Sequence, residues 1–492
     1  MTLMKIYKLL FISFFFISKI TLTAQNQGHS IKIKFRDFKG PELYLGFNYG
    51  DKKFISDTAK INKNGEYVFT GPKPLEGGIY LAILPSKKYF EFVVDEQNFS
   101  IETDTVDFIK NAKIKGSENN VQFFAFVNYV ASRQYDLMRY KSRVDNLEAG
   151  NDSIKFYQEK MTAIEKEISD YRMNIIEKYP NLFIADLFNA MREPVVPDPP
   201  KLPNGNIDSS FGYKYFKAHY FDHFKWSDDK LAKTPLLHNK MKYYLDKLTV
   251  QVPDSIIKSA DWLIQQASGS KEMYKYIVHY VTSTYERSNV MGMENVFVHV
   301  AKKYYTPKKA YWADSATVAK IQERADALEP LLIGKTAPNV SLADTSTKKW
   351  YSLYKVNSPY TILYFWDPEC GHCQKVTPKL VEIYHKYKPK GFDVFAVCTQ
   401  RDTEKWKKYV DEKKMVFTNV AMFKDVADHP EKYIYELKVT DINSINFHKT
   451  YDIYATPQVY VLDKDKKIIA RRLGVEDLEG FLDNYLKNKA SN

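Results

Sequence analysis

The octapeptide Trp366-Asp367-Pro368-Glu369-Cys370-Gly371-His372-Cys373 places two thiols three residues apart, after the apolar run 360–365 and before an amphipathic segment that starts at Gln374. A strand running into Cys-x-x-Cys at the start of a helix is redox geometry. The first helical turn leaves backbone N–H groups unpaired and carries the positive end of the macrodipole, so a sulfur held there is favoured as thiolate. Such a position lowers a cysteine pKa from about 8.5 to roughly 3.5–7. Cys370 therefore reads as the nucleophile and Cys373, one turn on, as the inward-facing resolving thiol. The alternatives are a structural disulfide or half a zinc site. Zinc would need a second ligand pair, and only Cys398 remains.

With 492 residues the chain has material for about three domains. Its 44% hydrophobic and 27% charged content is a globular balance. The net charge of +12, from 72 basic and 60 acidic residues, is spread along the chain without a basic run, so no nucleic-acid partner is expected. Lys5 and Lys8 precede the apolar run 9–17, and Thr21-Leu22-Thr23-Ala24 before Gln25 reads as a signal-peptidase site. Residues 1–24 are thus expected to be a signal peptide that sends the chain to the periplasm; a retained anchor is the alternative. The apolar run is too short to span a bilayer comfortably. Three cysteines in a chain of this length are no disulfide scaffold. In an oxidising space the pair is either used in exchange or kept reduced by a partner.

Residues 25–115 read as a β-rich domain, an antiparallel sandwich. Ile31, Ile33 and Phe35 alternate with Lys32, Lys34 and Arg36, and Asn64-Gly65 marks a turn. Near Gly116 the period changes from 2 to 3.6, opening a helical domain over 116–330. Ile154, Tyr157, Met161, Ile164, Ile168, Tyr171 and Ile175 form a heptad seam, matched by a weaker stripe from Phe123 to Val144. Together they predict an antiparallel helical hairpin, packed within the chain or against a second copy as a homodimer. The stretch 194–203, with five prolines in ten positions, is a linker or strap. His219 and His223, at i, i+4 with Asp222 between, could present two imidazoles on one helix face. No third ligand accompanies them, so the aromatic segment 213–226 reads as core or interface and no metal is expected.

From Ile333 the pattern becomes strand–helix alternation: strand 361–365, helix 374–387, strand 392–399, a charged helix 402–412, a long connection, strand 458–462 and a last helix near Glu476. Residues 331–492 are therefore an α/β domain. Gly334-x-x-Ala337-Pro338 at its entry, Phe365-Trp366 before Cys370-Gly371-His372-Cys373, Pro378 beyond the pair, and Thr456-Pro457 before a strand together resemble the exported thioredoxin-like proteins of the TlpA/ResA group. The β-rich and helical regions resemble uncharacterised domains that precede this module in exported bacterial proteins.

The resemblance implies a thioredoxin fold in which the proline matching Pro457 is cis and faces the cysteines, so that Thr456 and Pro457 offer a backbone edge to a peptide substrate. It implies a thiol-disulfide oxidoreductase that needs no small-molecule cofactor, acts on disulfide-bearing or dithiol proteins, and draws electrons from a membrane donor. Two positions depart from the pattern. Tyr364 stands where thioredoxin has a buried aspartate, so the proton of Cys373 needs another acceptor; Asp367 is the chosen candidate, ahead of Glu369 and the carboxylates of 401–428. Glu369 stands where a tryptophan is usual, and its charge is expected to oppose the Cys370 thiolate. Gly371-His372 matches the disulfide isomerases, and a protonated His372 would make the pair more oxidising. The leading expectation is a reductase; a docking protein with a thioredoxin scaffold, or an isomerase or oxidase, is the alternative. Cys398 in its apolar strand reads as an inert buried thiol.

Overall fold

The computed structural model describes residues 28–148, 151–346 and 349–490, and the expected signal peptide lies outside them. The chain forms two compact units. The first takes the described residues up to 192 with 223–225 and 233–236; the second takes 193–222, 226–232 and the remainder.

In the first unit, strands β1 (His29–Phe35), β2 (Glu42–Tyr49), β3 (Lys52–Lys60), β4 (Glu66–Gly71), β5 (Gly78–Ile83), β6 (Tyr89–Val94), β7 (Asn98–Thr103) and β8 (Lys113–Lys115) make two four-stranded sheets, ordered β4-β1-β7-β8 and β3-β2-β5-β6. The alternation in β1 buries Ile31, Ile33 and Phe35 against Phe69, Phe90 and Phe92 of the sandwich core. Each such side chain contributes about 1.5–3 kcal/mol by leaving water. The pairing is antiparallel except for β1 with β7, which run parallel. A parallel pair needs a long crossover, and the intervening strands of both sheets supply it.

Helices α1 (Glu118–Asp145), α2 (Asp152–Lys178) and α3 (Phe183–Ala190) complete this unit. Ser117 caps α1 through its side chain. Asn120 then bonds both backbone groups of Val93 on the free side of β6, accepting at 2.8 Å and donating at 2.7 Å. The side-chain amide thus covers an edge strand that would otherwise be open to pairing. The contacts Phe126–Tyr171, Arg133–Glu167 and Tyr140–Tyr157 run in opposite chain directions, as the predicted antiparallel hairpin requires.

The second unit begins with helices α4 (Phe211–His219), α5 (Pro235–Asp246), α6 (Pro253–Gln266), α7 (Lys271–Glu286), α8 (Glu294–Tyr304) and α9 (Ser315–Leu328). Because α4 ends at His219, the one-face arrangement expected of His219 and His223 does not form; His219 Nδ1 meets Asp222 at 2.7 Å instead. The α/β part carries β9 (Ser341–Ala343), β10 (Trp350–Ser352), β11 (Tyr360–Trp366), α10 (Gly371–Tyr387), β12 (Phe392–Cys398), α11 (Thr403–Glu412), β13 (Thr418–Ala421), α12 (Lys424–Asp428), α13 (Ile442–Ile445), α14 (Phe447–Thr450), β14 (Gln458–Asp463), β15 (Ile468–Arg471) and α15 (Val475–Ala490). Its strands form one seven-stranded sheet, β10-β9-β13-β12-β11-β14-β15. Every residue of β11 is buried, because the strand is covered on both faces. The fold is thus a β-rich region, a helical middle and a C-terminal thioredoxin-like α/β sheet. No helix among the described residues is long and apolar enough to cross a membrane.

Candidate active site

The buried strand β11 aims the chain at the thiols. It pairs in parallel with β12 and in antiparallel register with β14, where Phe365 faces Gln458. That register brings the turn before β14, with its cis Thr456–Pro457 peptide, beside the start of α10. Cys370 is the N-cap of α10 in an extended conformation, so its sulfur faces the open amides of the first turn. The Cys373 amide approaches Cys370 Sγ at 3.4 Å, and the Cys370 thiol donates to the Thr456 carbonyl at 3.2 Å. The thiols and the Thr456–Pro457 edge, expected at one site, lie together.

The two cysteines have opposite electrostatic settings. Burial raises the Cys370 pKa, but hydrogen bonds from the Cys373 amide, the Thr456 and Cys373 side chains and the His372 amide outweigh it and hold the thiol below its ordinary range. Cys373 is fully buried, and its pKa is pushed up to about 12 by desolvation, opposed by a hydrogen bond from the Asp367 amide. Cys398 is buried too, and desolvation pushes its thiol well above the usual range. A thiol whose thiolate is favoured and a thiol whose thiolate is disfavoured are therefore side by side.

Behind Cys373 the expected aspartate position holds a hydroxyl chain. Tyr364 Oη lies 3.0 Å from Thr377 Oγ1; Thr377 donates to the Cys373 carbonyl at 2.8 Å, and Tyr409 donates to the same oxygen at 3.2 Å. Desolvation drives the Tyr364 pKa far above its normal value, so the phenol is no base at neutral pH. Asp367 offers Cys373 its backbone amide; its carboxylate accepts from the Glu369 amide at 2.7 Å, Gln400 at 3.0 Å and Thr399 at 3.2 Å.

Glu369 is answered locally. Lys405 of α11 meets it at 2.6 Å and Gln400 at 3.3 Å, so the repulsion of Cys370 expected from an unpaired carboxylate is offset. His372 Nε2 lies 3.1 Å from Glu476 of α15, both exposed. Gly371 has open space where a side chain would project. Thr377, Lys405, Tyr409 and Glu476 were not anticipated; Lys405, Tyr409 and Glu476 reach the site through tertiary packing, and Thr377 from one turn along α10. Among the described residues no group of three or more His, Cys, Asp or Glu side chains is arranged to hold a metal ion.

A central strand that delivers a dithiol to a helix N-terminus, facing a carbonyl edge, defines a thioredoxin-like thiol-disulfide oxidoreductase. Residues 333–471 match the AhpC/TSA family, 151–329 the domain of unknown function DUF5106 and 29–123 the domain of unknown function DUF4369. The thiol-disulfide oxidoreductases ResA of Bacillus thuringiensis (strain Al Hakam) and Bacillus anthracis are each 30% identical to this chain over 157 residues, covering 31% of it and 79% of ResA. The chain belongs to the ResA family of thiol-disulfide oxidoreductases. Among solved structures, the thioredoxin domain of a thiol-disulfide oxidoreductase from Bacteroides vulgatus is 27% identical, covering 31% of this chain and 96% of that one at a TM-score of 0.26.

Proposed function

We propose that the enzyme is a periplasmic reductase of protein disulfides that works through Cys370 and Cys373, with residues 1–24 as its signal peptide. The observation that carries this reading is the Cys370 sulfur at the α10 N-terminus, 3.2 Å from the Thr456 carbonyl. An oxidised substrate polypeptide lies along the Thr456–Pro457 edge. The Cys370 thiolate attacks one substrate sulfur; the substrate S–S bond breaks, and its other sulfur leaves as a thiolate that takes up a proton. Cys373 then gives up its proton and attacks Cys370 Sγ, releasing the second substrate thiol. Two electrons and two protons have moved to the substrate, and the enzyme holds a Cys370–Cys373 disulfide. An upstream dithiol donor at the membrane reduces that disulfide in turn.

The domain organisation belongs to the same reading: 25–115 and 116–330 precede the catalytic module at 331–492, with the helical hairpin as a candidate homodimer contact. The family matches over 29–123, 151–329 and 333–471 support that division.

The test uses purified full-length protein, reduced with dithiothreitol and freed of it. Turnover of insulin or a disulfide peptide is expected, with loss in Cys370→Ser and accumulation of a mixed disulfide in Cys373→Ala. Equal activity of wild type and Cys370→Ser would refute the reading. A reduction potential in the range of the disulfide isomerases, about −180 mV, would favour the isomerase or oxidase alternative instead. Unchanged partner capture by Cys373→Ala without any trapped mixed disulfide would favour the docking protein. Fractionation of cells producing the chain tests its location: recovery in the cytoplasm with residues 1–24 intact overturns the exported assignment.

A further inference from the structure

Within the second unit a cleft of about 730 Å³ opens beside the turn that carries Thr456. One wall is α9, through Lys320, Glu323 and Arg324; the other is the segment 448–454, through Lys449, Asp452 and Tyr454. A further cleft of about 360 Å³ shares Ala327 and Lys449 with the first, so the groove continues along the same seam toward Pro338. Tyr454, 86% exposed, lines the cleft and stands two residues before Thr456.

The seam is built. Arg324 forms an ion pair with Asp452, whose other carboxylate oxygen lies 3.5 Å from Arg472. The Arg324 guanidinium also lies over the Tyr454 ring, 5.7 Å from its centre. A helix outside the thioredoxin-like sheet therefore holds the loop that leads into the substrate edge.

Charge in the groove is uneven. Asp326 is paired with Lys302, and Asp452 with two arginines, which leaves exposed Lys320 and Glu323 on the α9 wall and exposed Lys449, next to His448, on the other. Main-chain hydrogen bonding at an exposed edge gives affinity with little selectivity; side-chain pockets beside the edge supply the selectivity. A polypeptide whose disulfide sits at Cys370 has to pass its flanking residues along such a surface, and this groove adjoins the edge.

We infer that the groove between α9 and residues 448–454 takes the polypeptide flanking the substrate disulfide, and that Lys320 and Lys449 select substrates with acidic residues there. The helical segment thereby sets the specificity of a dithiol that lies outside it. The inference rests on the reductase reading given above.

Two disulfide peptides, identical except for Glu or Lys at the positions flanking the cysteine, test it with the full-length protein. Two exposed charge contacts turned from attraction to repulsion are expected to give about a tenfold higher kcat/KM for the Glu peptide at low salt, shrinking as salt rises. The double variant Lys320→Glu with Lys449→Glu is expected to abolish or invert that ratio; both residues are exposed, and circular dichroism verifies the fold. A ratio near one in the wild type, or the same ratio in wild type and variant, overturns the groove assignment and leaves the reductase reading intact. Failure to reduce either peptide overturns the reductase reading. The groove is then judged by the affinities of the oxidised peptides for the two proteins, where equal affinities overturn it.

Discussion

At the level of single residues the chemistry is set by how differently two neighbouring sulfurs are treated. Only the thiolate reacts with an alkylating agent, so the rate at each cysteine rises with pH through that cysteine's folded pKa. Cys370 is held below the ordinary thiol range and Cys373 is pushed up to about 12. Iodoacetamide at pH 7 is therefore expected to label Cys370 at least ten times faster than Cys373, with a half-maximal pH for Cys370 under the ordinary value of about 8.5. Peptide mass spectrometry over a pH series reads both; a Cys370 midpoint above 8.5 would show that the helix start does not act as described. The same series tests the Glu369–Lys405 pair, whose partners are both more than half exposed. Lys405→Ala is expected to raise the Cys370 midpoint, by well under one pH unit for charges this exposed, and Glu369→Gln to lower it. In the double variant the two changes cancel, and a double variant shifted as far as Lys405→Ala alone would contradict the pairing.

Elements explain why the site was partly legible. β11, α10 and β14 declare themselves through apolar runs bounded by Gly, Pro and a cysteine pair, and the sheet places them as the chain order suggests. β9, β10 and β13 are three or four residues long, too short to show a period of their own, and β13 exists by pairing with the longer β12, so the connection 413–457 concealed it. Tyr364 was legible as a departure from the thioredoxin pattern, but not its consequence. The hydroxyl chain needs Thr377 from the next element and Tyr409 from α11, 36 residues beyond Cys373. No periodicity announces such a meeting. The hydroxyls of Thr377 and Tyr409 satisfy the buried Cys373 carbonyl, and their removal is measurable. Tyr409→Phe leaves the Cys373 carbonyl with Thr377 as a remaining partner, so the expected loss is that of one net hydrogen bond, about 1 kcal/mol. Thr377→Val removes the closer donor and strands Tyr364 Oη, a buried hydroxyl, so the loss is expected to be larger, about 2–3 kcal/mol. Urea denaturation with an unchanged m-value reads both; equal losses in the two variants would contradict this ranking.

Across the second unit as a whole, the helical segment and the thioredoxin-like sheet share a buried ion pair, Glu294 of α8 with Arg471 of β15, at 3.2 Å. Arg471 is 1% exposed and Glu294 4%, so neither charge has water to fall back on. Arg471 also donates to the Leu331 carbonyl at 3.1 Å, which secures the chain where the helices hand over to the sheet. Desolvating two charges consumes much of what their attraction returns, so the pair adds little net stability over an apolar replacement, yet loss of one partner leaves the other buried and uncompensated. Glu294→Ala is therefore expected to destabilise the protein by about 3–5 kcal/mol, and Arg471→Met alone by a similar amount. The double variant Glu294→Leu with Arg471→Met removes both charges, and it is expected to recover most of that loss. Its stability should fall within about 2 kcal/mol of the wild type. Thermal and urea unfolding of the four proteins form a double-mutant cycle whose coupling term should be large. Additive losses, with a coupling near zero, would mean that the helices and the sheet do not depend on this pair. The cycle also bears on the substrate groove, because α9 packs against α8 and carries Arg324 to the Thr456 turn. If the pair fixes α8 on the sheet, Glu294→Ala should lower kcat/KM for polypeptide disulfides by more than its effect on alkylation of Cys370 at the same pH. An equal fall in both would place the damage in the thiols themselves.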